Sequence, residues 1–446
     1  MVCAGCGEGG LRKFALASFD FVLFGATFIL LGIGILFIYS SGINVNGVQV
    51  SAEFIRQIVW SLSGIALLVF FAFLSYSTLR MFSLYIYAGG LFLLLLTLVI
   101  GRQVNGARSW LGFSEIGIQP AEFMKVATIV FLGTYFAGIG NGIRELPRFL
   151  LGLVIVLVPI ALILLQPDMG EALAFFPIFL LMGFVAGAQV RHLMFILLAG
   201  VLAFIFAAIP TLHSRSGPVG PSFFGLLSDP DIMKYLLLAA AVVAGLAIIG
   251  WRSFRQRYFF WISWTGALLL AAGLLSASLR MVLKDYQIMR LVIFVNPHID
   301  PQGAGWNIIQ SVTAIGSGGL HGKGWLHGTQ SHYQFLPQQS TDFIFSILAE
   351  EWGFLGAVLV FGLFLVIFLR GISIVWASRE DYAMLLGTGI LSMIFFHALV
   401  NIGMAMGIMP VTGIPLMFLS YGGSSLWAGL IGIGVLMNIS RRRLRY

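Results

Sequence analysis

The sequence predicts an all-α polytopic integral membrane protein with about twelve transmembrane helices. Of its 446 residues, 59% are hydrophobic and only 9% are charged, and the mean hydropathy is +0.99. An ordinary soluble domain is about 25% charged. The chain contains about twelve apolar runs long enough to cross a bilayer, which takes roughly 20 residues in a helix. Basic residues fall in alternate turns between these runs, as expected for loops that face the cytoplasm.

The predicted spans are joined by turns and loops, among them an outer loop at 101–118 and a large extracytoplasmic loop at about 283–341. In chain order they lie near 18–40, 56–75, 79–100, 119–138, 147–165, 168–188, 192–211, 233–251, 258–282, 342–370, 384–407 and 413–439. An even number of spans returns the chain to its starting side, so both termini are predicted to be cytoplasmic. Residues 1–17 then form an N-terminal tail, 18–440 a single transmembrane domain and 441–446 a basic C-terminal tail.

The net charge of +8 is explained by loops that face anionic lipid, so membrane lipids and not nucleic acid are the predicted partners. A few basic residues break this pattern, because they lie on the predicted outer face. They include Arg102, Arg108 and Lys323. No anionic cytoplasmic leaflet attracts them there, whereas a polyanionic substrate would.

A polar stretch also begins at Asn105 and reads NGARSWLGFSEIGIQPAEFMK. Pro120 is predicted to start a helix, where its missing N–H is not needed. Glu122 and Lys125 then lie three residues apart on one helix face and can form an ion pair. Such a pair is costly inside a span unless it faces a cavity, which favours a functional role over a structural one.

Two further positions allow either a structural or a functional interpretation. Trp110 is typical of the aromatic belt at a membrane surface, but Arg108 beside it makes a sugar-stacking and phosphate-pairing edge plausible. Asp168, in the turn QPD, is predicted to cap the next helix. Glu171 adds a second carboxylate one turn into that helix, and capping does not require it.

The string GKGWLHGTQS at 322–331 lies within the large extracytoplasmic loop predicted at about 283–341. Its glycines let the backbone approach a ligand closely. Lys323 suits a phosphate, Trp325 a sugar face, and His327 or Gln330 sugar hydroxyls. A packed, hydrogen-bonded lid over the helices explains the same residues equally well.

Asp342 is predicted to open the next long helix, which carries Glu350 and Glu351. An acidic residue at this place can simply favour the helix dipole. The predicted topology, however, puts Asp342 on the same side of the membrane as Arg108 and Lys125. Asp342 is therefore the first candidate for a general base.

Several long motifs, in order, resemble the SEDS family of bacterial cell-wall polymerases and in particular its RodA-like branch. They are NGARSW at 105–110, QPAEFMK at 119–125, QPD at 166–168, GSGGLHGKGWLHGTQS at 316–331, LPQQSTDFIFSILAEEWGFLG at 336–356 and NIGMAMGIMPVTGIPLMFLSYGGSS at 401–425. The resemblance implies a peptidoglycan glycosyltransferase that polymerises lipid II on the outer face of the cytoplasmic membrane during cell elongation. It also implies a class B penicillin-binding protein as partner, within an elongation complex of MreB, MreC and MreD-type proteins.

The resemblance also implies roles for individual residues. Asp342 is the general base, Trp110 is the functional tryptophan, and Arg108 and Lys125 stabilise the pyrophosphate leaving group. One base suffices, because the transfer is a single inverting displacement. Further residues are predicted to bind substrate: Glu122, Asn105, Gln119, Asp168, Lys323, His327, Gln330 and Arg102. No cofactor or metal box is evident, although a divalent cation such as magnesium can bind a carboxylate and a pyrophosphate without a sequence signature.

Three features depart from the family pattern. The family core has ten spans, so two of the predicted twelve are an insertion, placed at about 192–257. Glu171 stands where the family usually has threonine. The lone CxxC pair of Cys3 and Cys6 has no counterpart and is a weak metal or redox signal.

Two other functions remain open at this point. A lipid II flippase would also use glycine-rich, broken helices, but a transporter needs ionisable groups near the bilayer midplane. Here the charged residues collect at the predicted outer ends of the spans. A non-catalytic scaffold that activates the penicillin-binding partner would not need Asp342.

Overall fold

The computed structural model describes residues 20–104, 106–113, 116–215, 228–283, 285–303, 305–333 and 335–442. Helices make up most of this part of the chain. The helices are α1 (Phe21–Ser41), α2 (Glu53–Phe73), α3 (Tyr76–Met81), α4 (Ser83–Ile100), α5 (Pro120–Ile139), α6 (Leu146–Leu165), α7 (Met169–Leu173), α8 (Phe175–Val185), α9 (Val190–Arg215), α10 (Pro230–Phe254), α11 (Arg257–Val282), α12 (Asp285–Val295), α13 (Trp306–Gly318), α14 (Thr329–His332), α15 (Ile344–Trp376), α16 (Asp381–Ala405) and α17 (Gly423–Arg442). Short 3-10 helices cover Gly140–Arg144 and Pro297–Ile299.

Eleven helical segments of the described chain are long and apolar enough to cross a membrane, which confirms a polytopic helical membrane protein. Each of the eleven corresponds to one of the twelve predicted spans. The remaining predicted span, at 168–188, corresponds to a shorter apolar segment, Met169–Val185. Asp168 caps α7, and the helical pattern is interrupted at Ala174 before α8 begins.

The chain divides into two compact units, Ala188–Ile309 and the remainder. In the unit Ala188–Ile309, α9 contains Pro210, which has no N–H to donate to the carbonyl of Phe206. The Arg280 guanidinium of α11 donates to that carbonyl instead, at 2.7 Å. The proposed insertion at about 192–257 falls in this unit and stays a prediction.

The other unit is built around α16 and α17. Within their spanning windows, 72% and 94% of the residues are buried, against 22% for α2. Helix α17 packs along α2, and α16 packs against α5, α8 and α15. The two central helices are therefore surrounded by protein, whereas α2 presents most of its surface outward.

The segment predicted as the loop 101–118 instead contains a small antiparallel sheet. Its strands are β1 (Arg102–Val104), β2 (Ala107–Phe113) and β3 (Ile116–Ile118), in the order β1-β2-β3. Arg102 pairs with Trp110, and Leu111 with Ile118. The sequence reasoning missed this sheet, in which two of the three strands, β1 and β3, have only three residues each.

The last span begins later than predicted. The prediction placed it at 413–439, but α17 covers Gly423–Arg442, and the chain from 410 to 416 is not helical. Two carbonyls of this extended segment, those of Ile414 and Pro415, accept hydrogen bonds from side chains of α16. This segment therefore positions His397 and Asn401, the two side chains of α16 that donate to it.

The helix predicted to open at Asp342 differs from the prediction in two ways. Asp342 lies in the preceding turn, and α15 begins at Ile344. The helix is also broken at Gly353, where φ is 64° and ψ is −160°. Residues with a side chain rarely adopt this backbone conformation, and a Cβ at this position would lie 2.3 Å from the backbone nitrogen of Gly322. The break therefore lets another segment approach the helix backbone.

Candidate active site

The centre of the candidate site is the ammonium group of Lys125, whose side chain is fully buried. Its Nζ lies 2.8 Å from Oε2 of Glu122 and 2.8 Å from Oε2 of Glu171. Nε2 of His397 is 2.7 Å away. An ammonium group has three donors, which equals the number of these partners from α5, α7 and α16. We refer to Glu122, Lys125, Glu171 and His397 as the Lys125 cluster.

The contacts of His397 define its tautomer. Nε2 faces the ammonium of Lys125 and therefore accepts. Nδ1 lies 3.1 Å from the carbonyl oxygen of Pro415 and donates to it. The imidazole is neutral in this arrangement. Sequence reasoning missed His397, although an ionisable residue inside a predicted span was a signal for a functional site.

Asp168 extends the polar network toward the sheet. Nε2 of Gln119 donates to its Oδ2 at 3.1 Å, and the backbone N–H of Glu171 donates to its Oδ1 at 3.4 Å. The latter bond is the predicted helix cap. Burial, together with the nearby Glu171 carboxylate, raises the pKa of Asp168 to about 6, and a hydrogen bond from the Ser109 side chain opposes this rise.

The sheet places three predicted residues near this network. The backbone N–H of Arg108 donates to the carbonyl of Gln166 at 3.1 Å, which ties β2 to the turn before α7. The Arg108 side chain is exposed, and its Nη1 donates to the carbonyl of Leu98 at 3.3 Å. Trp110 is partly buried, opposite the exposed Arg102 on β1. Their roles toward a substrate stay predictions.

The turn that carries Asp342 is held by α16. Nδ2 of Asn401, which is fully buried, donates to the carbonyl of Asp342 at 3.0 Å and to the carbonyl of Ile414 at 2.8 Å. The Asp342 N–H donates to the carbonyl of Gln338 at 3.0 Å. Asn401 follows His397 by one helical turn on the same face. One helix face therefore holds both the Asp342 turn and the Lys125 cluster.

The glycine-rich segment, residues 322–331, is held to α15 by hydrogen bonds to the fully buried carboxylate of Glu350. Its Oε1 accepts from the ammonium of Lys323 at 2.7 Å and from the N–H groups of Thr329 and Gln330 at 2.9 and 3.0 Å. The Lys323 ammonium also donates to the Thr329 hydroxyl at 2.7 Å, and the Lys323 side chain is 25% exposed. These are the contacts expected of a packed, hydrogen-bonded lid.

Glu351 holds the same segment from the next position. Its carboxylate accepts from the backbone N–H of Leu326 at 3.1 Å and from the hydroxyl of Ser40 on α1. His327 is exposed, and its Nδ1 lies 2.8 Å from the carbonyl of Trp325 within the same segment. Binding of a ligand by His327 stays a prediction.

Comparison with known proteins identifies the family. The family of cell cycle proteins that comprises FtsW, RodA and SpoVE matches residues 21–216 and 222–445. The chain belongs to this family. It is the one that the motifs predicted.

Individual members of the FtsW/RodA/SpoVE family resemble the chain over most of its length. The peptidoglycan glycosyltransferase RodA of Treponema pallidum (strain Nichols) is 44% identical over 435 residues, which is 97% of this chain and 100% of the relative. The peptidoglycan glycosyltransferase MrdB of Escherichia coli K12 is 30% identical over 361 residues, covering 80% of this chain and 78% of its own. A chain in a solved peptidoglycan synthase complex has a TM-score of 0.66 at 26% identity, covering 96% of this chain and 99% of its own. The crystal structure of Thermus thermophilus RodA gives a TM-score of 0.59 at 25% identity, covering 95% and 97%.

Within this family framework, the predicted site residues fall into distinct groups. Gln119, Glu122, Lys125 and Asp168 lie in one polar network, whose two halves are joined through Glu171. Lys323 and Gln330 meet at Glu350 instead. Asn105 lies outside the described residues. Within the described ranges, no group of three or more histidine, cysteine, aspartate or glutamate side chains is placed to hold a metal ion.

Proposed function

We propose that this protein is a peptidoglycan glycosyltransferase that polymerises lipid II into glycan strands during cell elongation. The observation that carries the proposal is the similarity over 97% of the chain to a relative named as a peptidoglycan glycosyltransferase. The site supports it, because the helix that holds the turn of Asp342 through Asn401 also contacts the ammonium of Lys125 through His397.

The proposed reaction is one inverting displacement at the anomeric carbon of the donor sugar. The acceptor hydroxyl attacks this carbon, and its proton passes to the carboxylate of Asp342 as general base. The bond between the anomeric carbon and the phosphate oxygen breaks, and undecaprenyl pyrophosphate leaves. The exposed guanidinium of Arg108 stabilises the charge on this leaving group. Lys125 acts with Arg108 from a buried position, where its ammonium already contacts Glu122, Glu171 and His397.

The proposal includes the surroundings of the protein. The site faces the outer side of the bacterial cytoplasmic membrane, with both termini in the cytoplasm. A class B penicillin-binding protein crosslinks the strands, and MreB, MreC and MreD-type proteins complete the elongation complex. The description of a structural relative as part of a peptidoglycan synthase complex supports such a partner. A magnesium ion at the pyrophosphate stays a prediction, which polymerisation with and without EDTA tests.

The decisive experiment is a polymerisation assay with labelled lipid II. The protein is purified with its class B partner, and products are separated on a gel beside those of Asp342→Ala. We expect long glycan strands from the wild type and none from Asp342→Ala, with both complexes intact. Asp381→Ala, which removes an exposed aspartate at the start of α16, serves as the matched control and should polymerise normally.

The same assay separates the alternatives. Absence of strands from every intact complex would favour the lipid II flippase, which vesicles with lipid II in one leaflet then test. Equal strand formation by wild type and Asp342→Ala would show that another group is the base. Strand formation that depends only on the partner would indicate the non-catalytic scaffold.

A further inference from the structure

The Lys125 cluster contains more negative charge than its single cation balances. Glu122 and Glu171 each lie 2.8 Å from Nζ of Lys125. The exposed fractions of these three side chains are 0%, 3% and 0%, so water does not screen them. With both carboxylates ionised, the cluster would carry one uncompensated negative charge in the interior of the helical bundle. An uncompensated buried charge is strongly unfavourable, and such a group usually becomes neutral.

The neighbouring charged groups do not remove this excess. His397 accepts from the ammonium through Nε2 and is therefore neutral. The facing titratable group on the chain before α7 is Asp168, an additional carboxyl. The groups that face the pair from α5, α7 and α16 thus supply one positive charge against two or three carboxyl groups.

The two carboxylates of the cluster lie close to each other, because one oxygen of each is 2.8 Å from the same nitrogen, Nζ of Lys125. Two ionised carboxylates have only acceptors, so they can hydrogen-bond to each other only if one of them carries a proton. Like charges that share a site cannot both ionise freely, as in other paired carboxylates.

We propose that Glu122 and Glu171 share one proton at neutral pH, and that Glu171 is a positioning residue that holds the Lys125 ammonium through this neutral cluster. The ammonium then donates to two carboxyl groups and one imidazole, and the cluster has no net charge. The catalytic consequence rests on the proposed function, since a net negative charge here would oppose binding of an anionic substrate. The protonation state itself does not depend on that function.

A second buried carboxylate provides a matched contrast. Glu350 is fully buried and pairs one to one with the ammonium of Lys323. It also accepts from the N–H groups of Thr329 and Gln330. A carboxylate with one cation and several donors is stabilised as an anion. Glu350 is therefore ionised, although it is as buried as Glu122.

Infrared difference spectroscopy of the purified protein tests the shared proton directly. The carbonyl stretch of a protonated carboxylic acid is measured at pH 8, where Asp168, with a pKa of about 6, is ionised. Glu171→Gln should remove about one carboxylic acid per protein, because the remaining Glu122 pairs one to one with Lys125. Glu122→Gln should remove the same band, and it also serves if Glu171→Gln does not fold. Glu350→Gln should leave the band in place.

The outcomes are distinguishable from those of the polymerisation assay. A band that persists in both Glu171→Gln and Glu122→Gln, or that is lost in Glu350→Gln, would overturn the shared proton whether or not the protein polymerises lipid II. When polymerisation is measured, the wild type should lose activity at alkaline pH as the shared proton leaves, and Glu171→Gln should lack this alkaline loss. An identical alkaline loss in both would rule out the positioning role. Failure of the wild type to polymerise at any pH would reject the proposed function alone.

Discussion

Among the contacts that hold the glycine-rich segment to α15, the side chain of Glu350 makes the largest set, beside the carboxylate of Glu351 and two backbone hydrogen bonds. The Glu350 carboxylate accepts from Lys323, from the N–H and the hydroxyl of Thr329, and from the N–H of Gln330, at distances between 2.7 and 3.0 Å. Glu350→Ala removes the acceptor from all four donors. We therefore expect the segment from Lys323 to Gln330 to open more often while the helices remain folded.

The size of this effect follows from the exposure of the donors. A buried donor left without a partner costs about 1–3 kcal/mol. Lys323 is partly exposed and Thr329 is exposed, so both can be rehydrated, and we expect a total of about 3 kcal/mol for Glu350→Ala. That is roughly a hundredfold increase in local opening. Glu350→Gln keeps an acceptor but loses the charge, which about halves the strength of such bonds, and should increase opening about tenfold.

Hydrogen exchange of the backbone amides of 323–331 measures this opening. Protection should decrease in the order wild type, Glu350→Gln, Glu350→Ala. The control variant Glu380→Gln changes an exposed glutamate before α16 and should leave the exchange unchanged. Unchanged exchange in Glu350→Ala would refute the reasoning, because the segment would then be held by other contacts. Equal loss in the Gln and Ala variants would refute the argument from charge.

Three further predictions follow from the same structure. Gly353→Ala should lower the melting temperature, since a positive φ costs about 1–3 kcal/mol for other residues and the new Cβ would clash, whereas Gly362→Ala in the same helix has open space and should be neutral or stabilising. The pKa of Asp168 is raised from 3.8 to about 6, so the stability that this side chain contributes is lost as the pH rises through about 6. In thermal melts, the stability of Asp168→Asn relative to the wild type should therefore increase by up to about 3 kcal/mol between pH 4 and pH 8, less the screening by solvent. An equal stability difference at both pH values would contradict this prediction. Asn401→Ala removes one donor from each of two carbonyls and should cost about 2 kcal/mol and abolish polymerisation, whereas full activity would show that Asn401 does not hold the Asp342 turn.

The sequence predicts those features that depend on local patterns. Apolar length located the spans, Pro120 marked the start of α5, and a spacing of three residues placed Glu122 beside Lys125. Features that depend on distant contacts were not predictable in this way. The partner of Lys323 is Glu350, a residue that the sequence places on another element. Likewise, nothing near Gly353 in the sequence indicates that its helix must open to admit the segment at Gly322.

The buried carboxylates of this protein differ less in their burial than in the number of cations that pair with them. Asp20 caps α1 and pairs one to one with Arg370 at 2.8 Å, and Glu350 pairs one to one with Lys323. Both pairs join separate elements and are balanced without an additional proton. In the Lys125 cluster two carboxylates surround one ammonium, so this site can change its charge by gaining or losing a proton within the folded structure. Each glycosyl transfer moves one proton. The Lys125 cluster, which can change its charge, is contacted by the same helix, α16, that holds the Asp342 turn.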